Sequence, residues 1–91
     1  MAATIRIPTP LRKLTNEQET VEVESATVGA AIDELEGKFP GIKERLVSED
    51  GEVRRFVNVY VNEEDIRFLE SQATPLEDGD DISIIPAIAG G

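Results

Sequence analysis

The fold is decided by residues 27–39, which read TVGAAIDELEGKF. Apolar side chains recur there every three or four residues, which is the period of one helix face. Thr27 precedes them with a hydroxyl that can accept a hydrogen bond from a free N–H of the first helical turn. The segment therefore predicts an amphipathic helix that ends before Pro40-Gly41, because a residue before proline avoids helical backbone angles. Its apolar stripe consists of Val28, Ala31, Ile32, Leu35 and Phe39.

Segments on both sides of this helix predict β-strands. Residues 4–7 and 20–24 alternate polar and apolar and are joined without a helix-length segment, so we expect an antiparallel hairpin. Residues 55–62, 66–68 and 81–85 predict three further strands, and residues 42–46 are expected to form one short helical turn. The side chains expected to face the helix are Ile5, Ile7, Val21, Val23, Val57, Val59, Val61, Ile82 and Ile84.

The order of these elements predicts a two-layer α+β domain in which one main helix packs on a mixed sheet. If the first and last strands are neighbours, they must run parallel, and the helical connection must be right-handed. We expect residues 1–86 to form this single domain and residues 87–91 to form a flexible tail.

Composition narrows the classes of partner. The chain has 91 residues, of which 40% are hydrophobic and 31% charged, and its net charge is −10. That charge repels nucleic acids and anionic membranes and favours basic patches on protein partners. No apolar run is long enough to span a bilayer and no signal peptide is visible, so we expect a cytoplasmic protein.

Residue types also argue against catalysis by this chain. Cysteine and histidine are both absent, which removes disulfides, thiolate metal sites and the commonest general base. The acidic clusters at residues 63–65 and 77–81 lack the ligand spacing of a calcium loop, so we interpret them as turns. We therefore predict no catalytic residue and no metal site.

The chemistry is expected at the tail, which reads Pro86-Ala87-Ile88-Ala89-Gly90-Gly91 after a strand that ends at Ile85. Glycine has no Cβ, so Gly90 and Gly91 can enter a slot too narrow for other residues. An extended tail from Ala87 reaches roughly 16 Å beyond the folded body. We predict that Ile88, Ala89 and Gly90 deliver the α-carboxylate of Gly91 into another protein's active site. A frayed chain end is the alternative interpretation.

A docking patch is predicted at the base of this tail. Phe56, Tyr60 and Ile85 fall on the face of the sheet that points away from the helix, with Ile88 as a possible fourth member. Large apolar side chains beside a mobile tail are typical of a partner-binding surface. The alternatives are that a loop covers them or that they are scattered surface residues.

Four motifs together resemble the ThiS/MoaD family of sulfur carriers, and the resemblance covers the whole chain. They are Ile5-Arg6-Ile7-Pro8, residues 56–62 (FVNVYVN), Asp78-Gly79-Asp80 followed by Ile82, and residues 86–91 (PAIAGG). The resemblance implies the ubiquitin-like β-grasp fold, and it is nearest to the CysO-type carriers of cysteine biosynthesis. Arg12 and Arg67 also sit in similar settings in that branch, without an assigned role.

The resemblance implies a covalent carrier that is not itself an enzyme. An adenylyltransferase similar to ubiquitin-activating enzymes would join the Gly91 carboxylate to AMP from Mg-ATP, and sulfur transfer would then give a thiocarboxylate. A PLP-dependent cysteine synthase would use that sulfur on an activated serine, and a metalloprotease would release cysteine. AMP, zinc and PLP then belong to partner enzymes, and this chain binds no cofactor.

Three other functions stay open at this point. The thiocarboxylate could feed molybdopterin synthase, with this chain as its small subunit. Gly91 could instead form an isopeptide bond with a lysine, as in a ubiquitin-like protein modifier. A purely non-covalent interaction domain is the third, and it predicts that deleting Gly90-Gly91 leaves function intact.

Overall fold

A computed structural model describes residues 2–54 and 57–86. Within these residues the fold has two α-helices and five strands, with strand order β2-β1-β5-β3-β4 in one sheet. The strands are β1 (Ala3–Arg6), β2 (Thr20–Val23), β3 (Val57–Val61), β4 (Glu64–Asp65) and β5 (Asp81–Pro86). The helices are α1 (Val28–Lys38) and α2 (Lys43–Leu46), and short 3-10 helices lie at Thr9–Leu14, Ile66–Phe68 and Ser71–Ala73.

The sheet has the mixed topology that the sequence predicts. β1 pairs antiparallel with β2, where Ile5 lies opposite Val21, and parallel with β5, where Ile5 lies beside Ile82. β3 runs antiparallel to β5 on its other side. The first and last strands are therefore parallel neighbours at the centre of the sheet, and the predicted α+β β-grasp architecture is confirmed.

One apolar core lies between α1 and the inner face of the sheet. All nine strand residues predicted to face the helix are buried. From α1 the buried side chains are Val28, Ala31, Ile32 and Leu35, while Phe39 packs against the core in a half-buried position just after the helix. Burial of this stripe stabilises α1 far more than its own helix propensity does.

Both ends of α1 follow the local sequence signals. The Thr27 hydroxyl accepts the N–H of Ala30 at 3.2 Å, so Thr27 is the N-cap. The helix ends at Lys38, before Pro40, and the predicted extra turn follows as α2 with Ile42 and Leu46 fully buried. No helix within residues 2–54 and 57–86 is long and apolar enough to cross a membrane.

The turn between β3 and β4 determines the residue at which β4 begins. Asn62 and Glu63 both have positive φ, 51° and 74°, as the two central residues of a type I′ turn require. The chain reverses over these two residues alone, so pairing resumes at Glu64. The acidic cluster interpreted as a turn, residues 63–65, thus contains one turn residue, Glu63, and the two residues of β4.

The strand predicted at residues 66–68 was wrong, because Ile66–Phe68 forms a 3-10 helix. The Asp65 carboxylate accepts the N–H of Arg67 at 2.8 Å and so caps this turn at the point where the strand would have continued. Ile66 is buried in the core, whereas Phe68 is 86% exposed. Ile66 and Phe68 are spaced as in a strand, but they lie in a helical turn of which only Ile66 faces the core.

Glu34 connects the end of β2 to α1. Its Oε1 accepts the Ser25 hydroxyl at 2.7 Å and the Glu24 N–H at 2.9 Å, and its Oε2 lies 3.6 Å from the Lys38 ammonium. The hydrogen bond from Ser25, followed by those from the Glu24 backbone and the Lys38 charge, lowers the pKa of Glu34 below its ordinary value. The folded state therefore favours the ionised carboxylate.

We expect the variant Glu34→Gln to be less stable than the wild type at neutral pH and indistinguishable from it in acid. A carboxyl with a lowered folded pKa stabilises the fold above its unfolded pKa, near 4.5, and that stability is lost as pH falls through the lower folded value. Urea unfolding from pH 7 to pH 3 measures the difference. Ser25→Ala should shift the acid loss of stability to higher pH, because the Glu34 pKa then rises toward its ordinary value. A stability difference between Glu34→Gln and the wild type that does not depend on pH would contradict the lowered pKa of Glu34.

Candidate functional site

The tail begins at the centre of the sheet. β5 lies between β1 and β3 and ends at Pro86, the register partner of Val57. The predicted site residues Ile88, Ala89, Gly90 and Gly91 lie outside the described residues. The boundary between a domain at residues 1–86 and a tail at residues 87–91 therefore stays a prediction.

Two members of the predicted docking patch lie together on the outer face. Ile85 is 50% exposed and lies opposite Asn58, while Tyr60 is half-buried and lies opposite Ser83. Tyr60 and Ile85 are thus diagonal neighbours, at a spacing that an aromatic ring can span. The third member, Phe56, lies outside the described residues. Partner docking at this patch stays a prediction.

Arg67 adds a positive charge beside this patch. Its Nη1 donates to Asn58 Oδ1 at 2.9 Å, and its Nη2 donates to the Val57 carbonyl at 2.9 Å. The sequence assigned no role to this residue. The hairpin register contains the missing signal: Tyr60 pairs with Asp65, and continuing that register by two residues places Arg67 opposite Asn58.

The acidic cluster at residues 77–81 hydrogen-bonds the turn that leads into β5, as predicted, whereas residues 63–65 divide between the β3–β4 turn and β4. Asp80 Oδ2 accepts the N–H of Glu77 at 2.8 Å, and Asp80 Oδ1 accepts Asn62 Nδ2 at 2.8 Å. Asp78 Oδ1 accepts the N–H of Ala2 at 2.9 Å, which ties the start of the chain to the turn before β5. Among the residues that the structure describes, no group of three or more acidic residues is placed to hold a metal ion.

An ion pair crosses the same outer face further from the tail. Arg6 Nη2 lies 3.1 Å from Asp81 Oδ2, and the two side chains are 60% and 41% exposed. An exposed pair of this kind contributes at most about 1 kcal/mol to stability. The outer face of the sheet is therefore polar toward the start of β5 and becomes more apolar toward Ile85 and the tail.

Comparison with known proteins decides the family. The family model described as the ThiS family matches residues 5–91. The chain belongs to the ThiS family. A ThiS-family relative, the sulfur carrier protein CysO of Mycobacterium tuberculosis, is 48% identical over 93 residues, with 100% of each chain covered. Small archaeal modifier protein 3 of Haloferax volcanii is 44% identical over 68 residues, which cover 75% of this chain and 73% of the relative.

Solved structures agree with the ThiS-family assignment. The crystal structure of the Amycolatopsis orientalis BexX/CysO complex contains a chain that matches with a TM-score of 0.92 and 47% identity, covering 98% of this chain and 99% of that chain. The ubiquitin-like β-grasp fold and the carrier class, both predicted from the sequence, are confirmed by these relatives. That relative also forms a complex with another protein, which is consistent with a carrier that acts through partners.

Proposed function

We propose that this protein is a sulfur carrier whose Gly91 carboxylate is adenylated and then converted to a thiocarboxylate, and that it supplies sulfur for cysteine biosynthesis in the cytoplasm. The observation that carries the proposal is full-length identity of 48% to a sulfur carrier protein, CysO. The ThiS match includes the Gly90-Gly91 ending, where the reacting group would lie.

The chemistry requires activation because a free carboxylate is a poor electrophile. A carboxylate oxygen of Gly91 attacks the α-phosphorus of ATP, and pyrophosphate leaves with Mg²⁺. The resulting acyl adenylate is attacked at its carbonyl carbon by a sulfur nucleophile such as hydrosulfide. AMP leaves, and a C–S bond replaces one C–O bond without any change of oxidation state.

In this proposal, partner enzymes supply the ATP site, the acceptor of the sulfur and the protease. An adenylyltransferase similar to ubiquitin-activating enzymes would provide the ATP site, and a PLP-dependent synthase would hold an activated serine, whose β-carbon loses its activating group as it bonds to the thiocarboxylate sulfur. A metalloprotease, with its zinc, cuts the resulting adduct and releases cysteine. Tyr60 and Ile85, with Phe56, are proposed to dock these enzymes, since apolar surface beside the tail is what a partner can desolvate.

Intact-mass measurement tests the proposal. Incubation with the activating enzyme, ATP and sulfide should raise the mass of the chain by about 16 Da, the difference between oxygen and sulfur in an acyl group. Omission of ATP is the control and should leave the mass unchanged. An unchanged mass with all components present, under conditions where the enzyme loads another carrier, would contradict the proposal.

Protein modification is the second candidate, because the 44% identical relative is named a small archaeal modifier protein. It uses the same adenylate but transfers the Gly91 acyl group to a lysine amine. The same incubation in the presence of candidate acceptor proteins distinguishes the two functions. Adducts heavier by one whole carrier chain would indicate modification, whereas the sulfur increment alone would indicate sulfur transfer.

A further inference from the structure

Among the described residues, the edge of β3 that faces away from β5 is paired with another strand over only part of its length. Within the described part of the chain, β4 pairs with β3 only at Tyr60 and Val61. At the other end of β3, the N–H of Val57 donates to the Arg54 carbonyl at 3.0 Å, and the Val57 carbonyl accepts Arg67 Nη2 at 2.9 Å. Because a strand carbonyl needs a partner when it leaves water, the Arg67 side chain takes the place of the missing edge strand.

This contact lies directly beside the origin of the tail. Val57 is the register partner of Pro86, and Asn58 is the register partner of Ile85. The Val57–Pro86 pair carries no hydrogen bond in the β3–β5 ladder, because the N–H and the carbonyl of Val57 both point away from β5, toward Arg54 and Arg67. Arg67 contacts both Val57 and Asn58, and one guanidinium therefore holds the two β3 residues that flank the last two residues of β5.

We propose that Arg67 is a positioning residue for sulfur loading: it fixes the end of β5 and so the direction in which residues 87–91 leave the domain. The proposal rests on the proposed function, because it concerns presentation of the tail to the activating enzyme. Hydrogen bonds from a charged donor are stronger than neutral ones, which suits an anchor on an exposed edge. A small change of direction at the base is magnified at the tip of a tail of roughly 16 Å, so a loose base reduces the fraction of free carriers whose tail points in the direction that the enzyme can bind.

Loss of the Arg67 contacts is expected to raise the KM of the activating enzyme for this carrier more than it lowers kcat. If the base of the tail is loose, only a fraction of the free carriers hold the tail in the direction that the activating enzyme can bind, and the apparent affinity falls by that fraction. Once the tail is seated, the chemistry is unchanged because Arg67 acts through the β3 backbone. Partial unfolding of the carrier would also raise the apparent KM, so thermal unfolding must show that each variant is fully folded at the assay temperature.

Three full-length variants test the proposal: Arg67→Ala, Arg67→Lys and the matched control Arg6→Ala. Arg6 carries the same charge on the same outer face but pairs with Asp81. The measurements are pyrophosphate release by the activating enzyme, amide hydrogen exchange at Asn58 and Ile85, and thermal unfolding. For Arg67→Ala we expect KM to rise about fivefold to tenfold, with kcat within about twofold of the wild type.

Amide hydrogen exchange at Asn58 and Ile85 should be faster in Arg67→Ala than in the wild type. The exchange rates and KM of Arg67→Lys should lie between those two proteins, because lysine lacks the planar guanidinium that donates to two acceptors at once. Arg6→Ala should match the wild type in KM and in exchange. Unchanged KM or unchanged exchange in Arg67→Ala would overturn the proposal, as would an equal rise of KM in Arg6→Ala, which would indicate charge alone. If the wild type gains no sulfur mass, the proposed function fails, and unchanged exchange would still refute the anchor independently.

Discussion

A leucine appended after Gly91 is expected to reduce sulfur loading at least a hundredfold. The extension converts the Gly91 carboxylate into an amide, whose oxygen is a much weaker nucleophile toward ATP. The new terminal carboxylate lies about 3.5 Å further along an extended chain and carries a side chain where the slot admits glycine. Displacement of a reacting group by about 1 Å already costs roughly a hundredfold. The gain of sulfur mass after incubation with the activating enzyme, ATP and sulfide measures the effect.

The matched control carries the same leucine at the other end, before Met1, and should load like the wild type. The two proteins have equal mass and composition, so a difference between them reports the position of the carboxylate alone. Loading of the extended chain at the wild-type rate, with its mass showing that the leucine was not trimmed, would refute the role of Gly91.

Leu35→Ala is expected to lower the free energy of unfolding by about 3 kcal/mol. Leu35 is 0% exposed, at the centre of the α1 stripe that packs on the sheet. Truncation removes buried methyl groups and leaves a cavity that the surrounding strands can fill only in part. In a domain of this size the loss corresponds to a fall of roughly 12–24 °C in Tm. Urea and thermal unfolding measure it.

Gly37→Ala is the control within the same helix, and its effect should have the opposite sign. A Cβ added at Gly37 meets no atom within 4 Å, and the residue lies in the last turn of α1. Alanine is favoured over glycine by roughly 1 kcal/mol in a helix interior, so Tm should rise by a few degrees. If Leu35→Ala left Tm unchanged while Gly37→Ala raised it, the packing of α1 on the sheet would be wrong.

Much of the fold could be predicted because each signal was local or strictly periodic. The α1 stripe, its Thr27 cap and its stop at Pro40 required only neighbouring residues. The valines of β3 and the isoleucines of β5 alternate strictly, which fixed the buried face of both strands before their partners were known. Chain order required that β1 and β5 run parallel if they are neighbours, and the structure shows that they are.

The errors arose where a side chain competes with the backbone for hydrogen bonds. The 3-10 helix at Ile66–Phe68 depends on the cap from Asp65, and its apolar alternation matched the period of a strand. The 3-10 helix at Thr9–Leu14 was not predicted: Pro8 and Pro10 did end β1, but proline near a helix start also favours helical angles. Half-buried Leu11 and Leu14 in this 3-10 helix pack against the core.

The site also contains residues that a local pattern predicts and one residue that it does not. Outer-face positions such as Tyr60 and Ile85 followed from the period of two, whereas Arg67 became visible only with the register of the β3–β4 hairpin. The hydrogen bonds of Arg67 to Asn58 and Val57 reach back nine and ten residues. No local pattern marks a guanidinium that replaces a strand, because the need for it arises from where β4 stops.

The parallel arrangement of β1 and β5 also decides how the domain responds to mechanical force. Their first residues lie at one end of the sheet, where Thr4 pairs with Asp81, and the tail leaves from the other end. A protein that holds the amino terminus while another pulls on the tail therefore loads this pair in shear, with its evenly spaced hydrogen bonds strained together and not unzipped one by one. We therefore expect the domain to stay folded under a pull on its carboxyl end that would open an antiparallel hairpin.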